Sequence, residues 1–503
     1  MTYDAIVVGG GHNGLVAAAY LGRAGKRVLL LERLGEVGGA AVSAQPFSGV
    51  DARLSRYSYL VSLLPARIVD DLGARVRLAR RRYSSYTPDP ANGGRTGLLV
   101  GPHSTFAAVG AADDAEGFAE FYRRCRLVTG RLWPTLIEPL LTRSQARALV
   151  SDAAASQMMI DEPIGHAITK AVSHDLVRGV IATDALIGTF ARADDESLRQ
   201  NICFLYHLLG GGTGDWDVPI GGMGAVTGAI ANVAAQHEVE IVTGAEVFGI
   251  DPDGEVRYRI GDDERRAHGR FILAGVTPAV LAKLLGEPMP TISPGAQVKV
   301  NLMLRRLPRL RDETVSAEEA FGGTFHINET WSQLDTAYSQ AVDGVIPDPL
   351  PCESYCHSLT DPSILSPALR ASGAHTLTVF GLHTPHGLVD EATARERLTE
   401  AVLTSLNSVL AEPIQDVLMP GCIETKTTYD LEQALGMTAG NIFHGALTWP
   451  FAEDDEPLDT PARRWGVATG HDRILLCGSG ARRGGAVSGI GGHNAAMAVL
   501  ESR

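Results

Sequence analysis

The sequence predicts an α/β protein: a Rossmann-type dinucleotide-binding domain split over three stretches of the chain, with a second, mixed α+β domain. Three observations carry this. The N-terminal residues spell strand, glycine turn, helix, second strand and acid at the spacing of one βαβ unit. The C-terminal residues hold another glycine-rich strand end with too little chain after it to build such a unit. Two long regions between them do not follow a nucleotide-fold pattern.

Composition narrows the class. The chain has 503 residues, 45% hydrophobic and 20% charged. That is enough apolar material to offset ordering entropy, which excludes a disordered chain. At about 150 residues per domain the length fits roughly three domain-sized units. Glycine is abundant, with 56 residues, and has no Gly-x-y period. It points to tight turns and close backbone approaches. A net charge of −14 lacks the basic footprint of a nucleic-acid binder. Arg80, Arg81 and Arg82 form the densest basic run and read as a solvated face. The six cysteines are too few for a disulfide framework. Cys352 and Cys356 stand C-x3-C beside His357 without a second ligand pair, so no metal site is expected. No apolar run reaches about 18 residues, and Met1 leads straight into a strand-like run. The expectation is a cytoplasmic protein with no spanning helix and no signal peptide, with contact at a membrane surface left open.

Ala5–Val8 reads as the first strand. Gly9, Gly11 and Gly14 then match G-x-G-x-x-G, Leu15–Leu21 reads as a helix ending near Gly25, and Arg27–Leu31 as a second strand closed by Glu32. Gly9 permits the turn, Gly11 lets backbone approach a pyrophosphate, and Gly14 lets helix pack on strand. The helix start offers unpaired N–H groups to phosphates. Glu32 suits the two hydroxyls of an adenosine ribose and repels a 2′-phosphate. Gly38-Gly39 follows closely, a second backbone approach typical of FAD enzymes of the glutathione-reductase type.

The far end mirrors this chemistry. Ile474–Cys477 reads as a strand running into Gly478-Ser479-Gly480, then Gly484-Gly485 and Gly489–Gly492, with a closing helix from about Asn494 to Leu500. A βαβ unit needs about 30 residues, so this tail must dock on a sheet built elsewhere and cover the flavin half of the same dinucleotide. No second complete G-x-G-x-x-G unit exists, so a separate NAD(P)H domain is not expected. The middle continues the fold: a helix opened by Pro219–Gly224, strands at 240–242, 245–250, 256–260 and 270–274, and Val247 as a backbone contact for adenine. The expected division is residues 1–65, 201–290 and 440–503 for the FAD-binding domain. Residues 66–200 and 291–439 make the substrate domain, with Trp133, Leu136, Ile137, Leu140 and Leu141 as core.

These motifs carry a resemblance. VVGGGHNGLVAAAYLGRAGKRVLLLER, VGGAAVS, PIGGMGAV, GNIFHG and LLCGSGARRGGAVSGIGGHNAA together resemble the phytoene-desaturase-like flavoproteins of the amine-oxidase superfamily. The similarity is closest to the branch called pyridine nucleotide-disulphide oxidoreductase domain-containing protein 2. It implies an FAD-dependent dehydrogenase, desaturase or oxidase with noncovalent FAD. Such an enzyme removes hydride from a C–C or C–N bond of a small apolar, isoprenoid or lipid-like substrate and passes electrons to oxygen or a quinone. Expected cofactor contacts are Gly9, Gly11, Gly14, Glu32, Arg33, Gly38, Gly39, Ala40 and Val247, with Gly478, Ser479, Gly480, Gly489 and Ile490 from the tail. Ala40 departs from the arginine of many relatives, and Ser479 or Gly480 from their aspartate.

Lys299 sits where the amine-oxidase relatives carry a strand lysine that holds a water near the flavin. A lysine in so apolar a strand is costly to bury, which marks it independently; an edge strand would instead turn it to solvent. His444, between Gly440 and Gly445, is the second catalytic candidate, ahead of His207 and His493. Two rivals stand beside this reading. An amine oxidase is disfavoured by the 6% aromatic content, with Trp449 and Trp465 the only late tryptophans. A non-catalytic escort protein on the same architecture is disfavoured by the C-terminal glycine run.

Overall fold

The computed structural model describes residues 2–502. Strand β1 (Thr2–Val8), helix α1 (His12–Arg23) and strand β2 (Val28–Glu32) form the opening unit. Its apolar residues are buried on both strand faces, as a parallel sheet covered on both sides requires. Two short strands, β3 (Ser85–Pro88) and β4 (Gly97–Val100), precede a helical region that includes α2 (Asp114–Leu132) and α3 (Arg199–Leu209). The expected core residues Leu136, Ile137 and Leu140 are buried there, on and after a 3-10 turn at Trp133–Ile137.

Helix α4 (Met223–Gln236) then leads to β5 (Glu240–Thr243), β6 (Ala245–Ile250), β7 (Glu255–Ile260) and β8 (Asp263–Ala274). The second sheet continues with β9 (Val298–Leu304), β10 (Thr324–Ile327), β11 (Cys352–Tyr355) and β12 (His375–Gly381). Helix α5 (Glu391–Val409), β13 (Leu418–Lys426) and α6 (Thr428–Leu435) follow. The chain closes with β14 (Ile474–Leu476) and α7 (Ile490–Glu501).

The first sheet runs β6-β7-β8-β1-β2-β5, and β14 joins β8 in parallel at Ile272–Ala274. The tail therefore docks on the sheet that the head begins. Helix α7 starts four residues earlier than the sequence suggests, because Gly491 and Gly492 are helix-contact residues rather than loop. A methyl group on Gly492 would stand 1.9 Å from the Asn13 carbonyl oxygen on α1. Gly492→Ala should therefore destabilise the protein by roughly 1–3 kcal/mol through overpacking, read as a lowered Tm.

The second sheet runs β13-β9-β12-β11-β10-β3-β4. In β9 the side chains alternate. Val298, Val300, Leu302 and Leu304 pack with Leu398, Val402 and Leu406 of α5. Lys299, Asn301 and Met303 take the opposite face, where Met303 meets Phe47 and Leu54 of the N-terminal segment. Because β9 lies between β12 and β13, Lys299 is interior and not at a sheet edge. Among the described residues no helix is long and apolar enough to cross a membrane.

Candidate active site

One cavity of about 790 Å³ lies between the two sheets. Its wall takes Gly9, Gly11, Gly14 and Glu32 from the head, Val247 from β6, Lys299 from β9, and Gly478, Ser479 and Gly485–Val487 from the tail.

At the head, Gly9 has φ +101° and makes the turn. A side chain on Gly11 would meet nothing within 4 Å, so its backbone faces open space. One on Gly14 would stand 2.1 Å from the Gly9 oxygen. Helix α1 has no side-chain N-cap, and its first bond runs from Leu15 N to Gly11 O at 2.9 Å. The preceding N–H groups are the ones a phosphate takes. Glu32 is held in place by Gly10 N (2.7 Å) and Leu34 N (2.8 Å). Asn13, 3% exposed and on the wall, has neither side-chain polar atom hydrogen-bonded. So buried an amide needs a partner.

At the other end, Lys299 Nζ donates to the carbonyls of Ser55 (2.8 Å) and Ser58 (3.0 Å) and lies 5.4 Å from the Phe380 ring centre. Burial pulls the ammonium down to about 7, with Glu424 opposing. An aromatic wall adjoins it. Tyr59 packs 4.7 Å from Phe380 and stacks 6.1 Å from Trp216, which lies 4.7 Å from His207. His444 adopts φ +64° with Nδ1 unpartnered, and burial, reinforced by His12, lowers it to about 4. His207 falls to about 3 by burial alone. Both are neutral at neutral pH.

The sequence family described as NAD(P)-binding Rossmann-like domain matches residues 7–66. A Mycobacterium tuberculosis protein, "Uncharacterized protein Rv0897c", is 70% identical over 99% of this chain and 97% of its own. "Pyridine nucleotide-disulfide oxidoreductase domain-containing protein 2" of Rattus norvegicus is 29% identical over 99% of this chain and 93% of its own. The fold is shared with a variant of putrescine oxidase: TM-score 0.61, 16% identity, 100% of this chain and 99% of that one. The chain belongs to the family of the mycobacterial protein, and its fold is that of the putrescine oxidase structure.

The wall of this cavity fits a dinucleotide: the uncapped helix start, the bare Gly11, the unpartnered Asn13 and Glu32 line one continuous space with the tail glycines. Of the expected contacts, Gly9, Gly11, Gly14, Glu32, Arg33, Gly39, Ala40, Val247, Gly478 and Ser479 stand on it. Four lie behind it. Gly38 packs on Val42, Gly480 on Pro278 and Gly489 on Val16, while Ile490 is fully buried as the first residue of α7. A side chain on any of these three glycines would press on those neighbours, and Gly485, Ala486 and Val487 line the wall from the tail.

Lys299 and His444 are both on the wall, and so is His207; His493 is buried behind it against Tyr20. The late tryptophans do not mark the site. Trp449 stacks on Phe451 away from the cavity and Trp465 is buried against His493, whereas Tyr59, Trp216 and Phe380 line it. Arg81 is also corrected: it turns inward to donate to Trp216 O and Thr324 Oγ1, both at 3.0 Å. Sequence reading missed Tyr59, Trp216, Phe380, Lys426 and His12. Only His12, inside the glycine motif, had a local signal.

Proposed function

We propose that this chain binds one FAD along the cavity and oxidises a small apolar molecule at a C–C or C–N bond. The adenosine end would rest on Glu32, Arg33 and Val247, and the flavin end on Ser479 and Gly485–Val487. The supporting observation is the single cavity that both chain ends line and that closes on a buried lysine. The carboxylates on its wall, Glu32, Glu246 and Glu432, belong to β2, β6 and α6, and Ala434 of α6 accepts from Arg33 just after β2. Around Lys299 and its cross-strand neighbour Lys426 the wall is aromatic and carries no carboxylate, with Tyr59, Trp216 and Phe380. Such a wall suits an uncharged substrate and excludes water.

When bound, FAD supplies the acceptor for a hydride. The protein's own residues orient the substrate and handle protons. Lys299 commits two N–H donors to Ser55 and Ser58, which leaves one position on Nζ. Near pH 7 that position alternates between a proton and a lone pair, so Lys299 can hold or move a single proton there.

The aromatic wall favours a second reading, oxidation of an amine at its C–N bond, because aromatic faces attract cations. Anaerobic bleaching of bound flavin separates the two. Uncharged polyene-like or lipid-like compounds should bleach it fastest under the first reading, and amines under the second. Re-oxidation by oxygen or only by a quinone then identifies the acceptor. Purified protein without flavin absorbance after incubation with FAD would overturn both readings and favour an escort protein.

A further inference from the structure

The cavity-facing side of the second sheet carries more ionisable chemistry than this reaction uses. Direct cross-strand pairing sets His326, Glu353, Phe380, Lys299 and Lys426 in one row. Residues directly opposite in an antiparallel pair share a face. Phe380, Lys299 and Lys426 reach the cavity. Glu353 and His326 lie deeper, 2% and 4% exposed.

Behind them sits a cluster of acids. Glu329 is fully buried with neither carboxyl oxygen hydrogen-bonded, and Glu353 Oε1 also lacks a partner. Asp184, on the turn Thr183–Ala185, faces both. Arg81 is the facing cation, but it spends its hydrogen bonds on Trp216 and Thr324. His326 Nδ1 lies 3.5 Å from Glu329 Oε2, and burial keeps this imidazole neutral. Three carboxyl groups cannot all ionise in so dry a place beside one guanidinium. Burial lifts Asp184 to about 7, opposed by Arg81, and holds Glu353 and Glu329 above the carboxylate range. The cluster keeps protons at neutral pH and accepts one wherever a member is ionised.

The cluster connects to the cavity. Tyr59 stands on the wall with its ring 4.7 Å from that of Tyr355. Tyr355 is two residues from Glu353 on β11, so both project from one face. Tyr355 is electrostatically coupled to Glu353 on one side and to Tyr59 on the other. Burial raises both phenols well above their ordinary range, so they pass protons on rather than lose them.

We propose that Tyr59, Tyr355 and Glu353 form a proton path from the cavity to an internal acid store shared by Glu353, Asp184 and Glu329. The proposal rests on the oxidoreductase reading, in which the substrate gives up a proton besides its hydride. The substrate's bond to that proton breaks as an O–H bond forms at Tyr59. The Tyr59 proton passes to Tyr355, and the Tyr355 proton to an ionised carboxylate of the store. Each transfer makes one O–H bond and breaks one, and no electrons accompany it; the pair of the oxidised bond leaves separately with the hydride. Glu353 acts through the tyrosines and is a positioning residue.

The test compares Glu353→Gln and Tyr355→Phe with the natural full-length chain. The first readout is Tm against pH without FAD or substrate. A native Glu353 that keeps its proton above the ordinary value of 4.5 binds more protons folded than unfolded, so stability falls as pH rises through that interval. Glu353→Gln should lose this slope, and equal slopes would overturn the acid store whether or not FAD binds. The second readout is substrate reduction of bound flavin against pH and in heavy water. The natural chain should slow as acid fills the store. Both variants should react about 100-fold more slowly, with the acid limb and the solvent isotope effect diminished. Unchanged profiles and isotope effects in a chain whose flavin is still reduced would overturn the path alone. A chain that holds no FAD would sink the oxidoreductase reading, and the stability slopes would still decide the store.

Discussion

Lys299→Met should retain FAD and lower kcat/KM by about two orders of magnitude or more, the scale of a lost general acid–base group. Methionine fills the same volume but offers neither donor nor lone pair at the Nζ position. The variant also has a stability signature of known sign. Burial lowers the lysine from 10.5 to about 7. Between those values the folded chain holds fewer protons at this group than the unfolded chain. Stability therefore rises with pH across that window, and the full penalty is present below it. The interval corresponds to roughly 5 kcal/mol as an upper bound. Removing the ammonium lifts the penalty but strands the carbonyls of Ser55 and Ser58, at about 1–3 kcal/mol. Lys299→Met should thus gain on the natural chain at neutral and acidic pH, with the gain fading toward alkaline pH, as Tm against pH checks. Unchanged kcat/KM with an altered Tm would make Lys299 a structural plug only.

Glu32→Ala should weaken FAD binding by about 100-fold, the worth of one to two charge-assisted hydrogen bonds. The side chain is 7% exposed and already accepts from Gly10 and Leu34. Its removal frees the turn backbone as well as the proposed ribose contact. Glu32→Gln should fall between, since it keeps the shape and one acceptor. Titration of FAD by flavin fluorescence gives the affinities, and circular dichroism confirms that the fold survives.

The parts of this protein legible in its sequence are those where backbone geometry dictates residue type. The βαβ unit needs glycine at three places and an acid after the second strand, and Gly9, Gly11, Gly14 and Glu32 supply them. Lys299 was legible because a charge interrupts an apolar strand. Glycine alone does not say what approaches it. Gly38, Gly480 and Gly489 meet side chains, yet all three read like ligand-facing residues. The aromatic wall was not legible because Tyr59, Trp216 and Phe380 come from three distant segments, and a composition percentage carries no position. Arg81 was hidden in a run of three arginines: Arg80 pairs with Asp215 at the surface while Arg81 turns inward.

The central claim is that head and tail hold one and the same FAD. Glu32→Ala at the head and Ser479→Phe at the tail test it together by FAD stoichiometry and affinity. The natural chain should bind one equivalent, and each change should weaken that same equivalent without creating a second site. Undiminished affinity in Ser479→Phe, or a natural chain that takes up no FAD, would contradict the account.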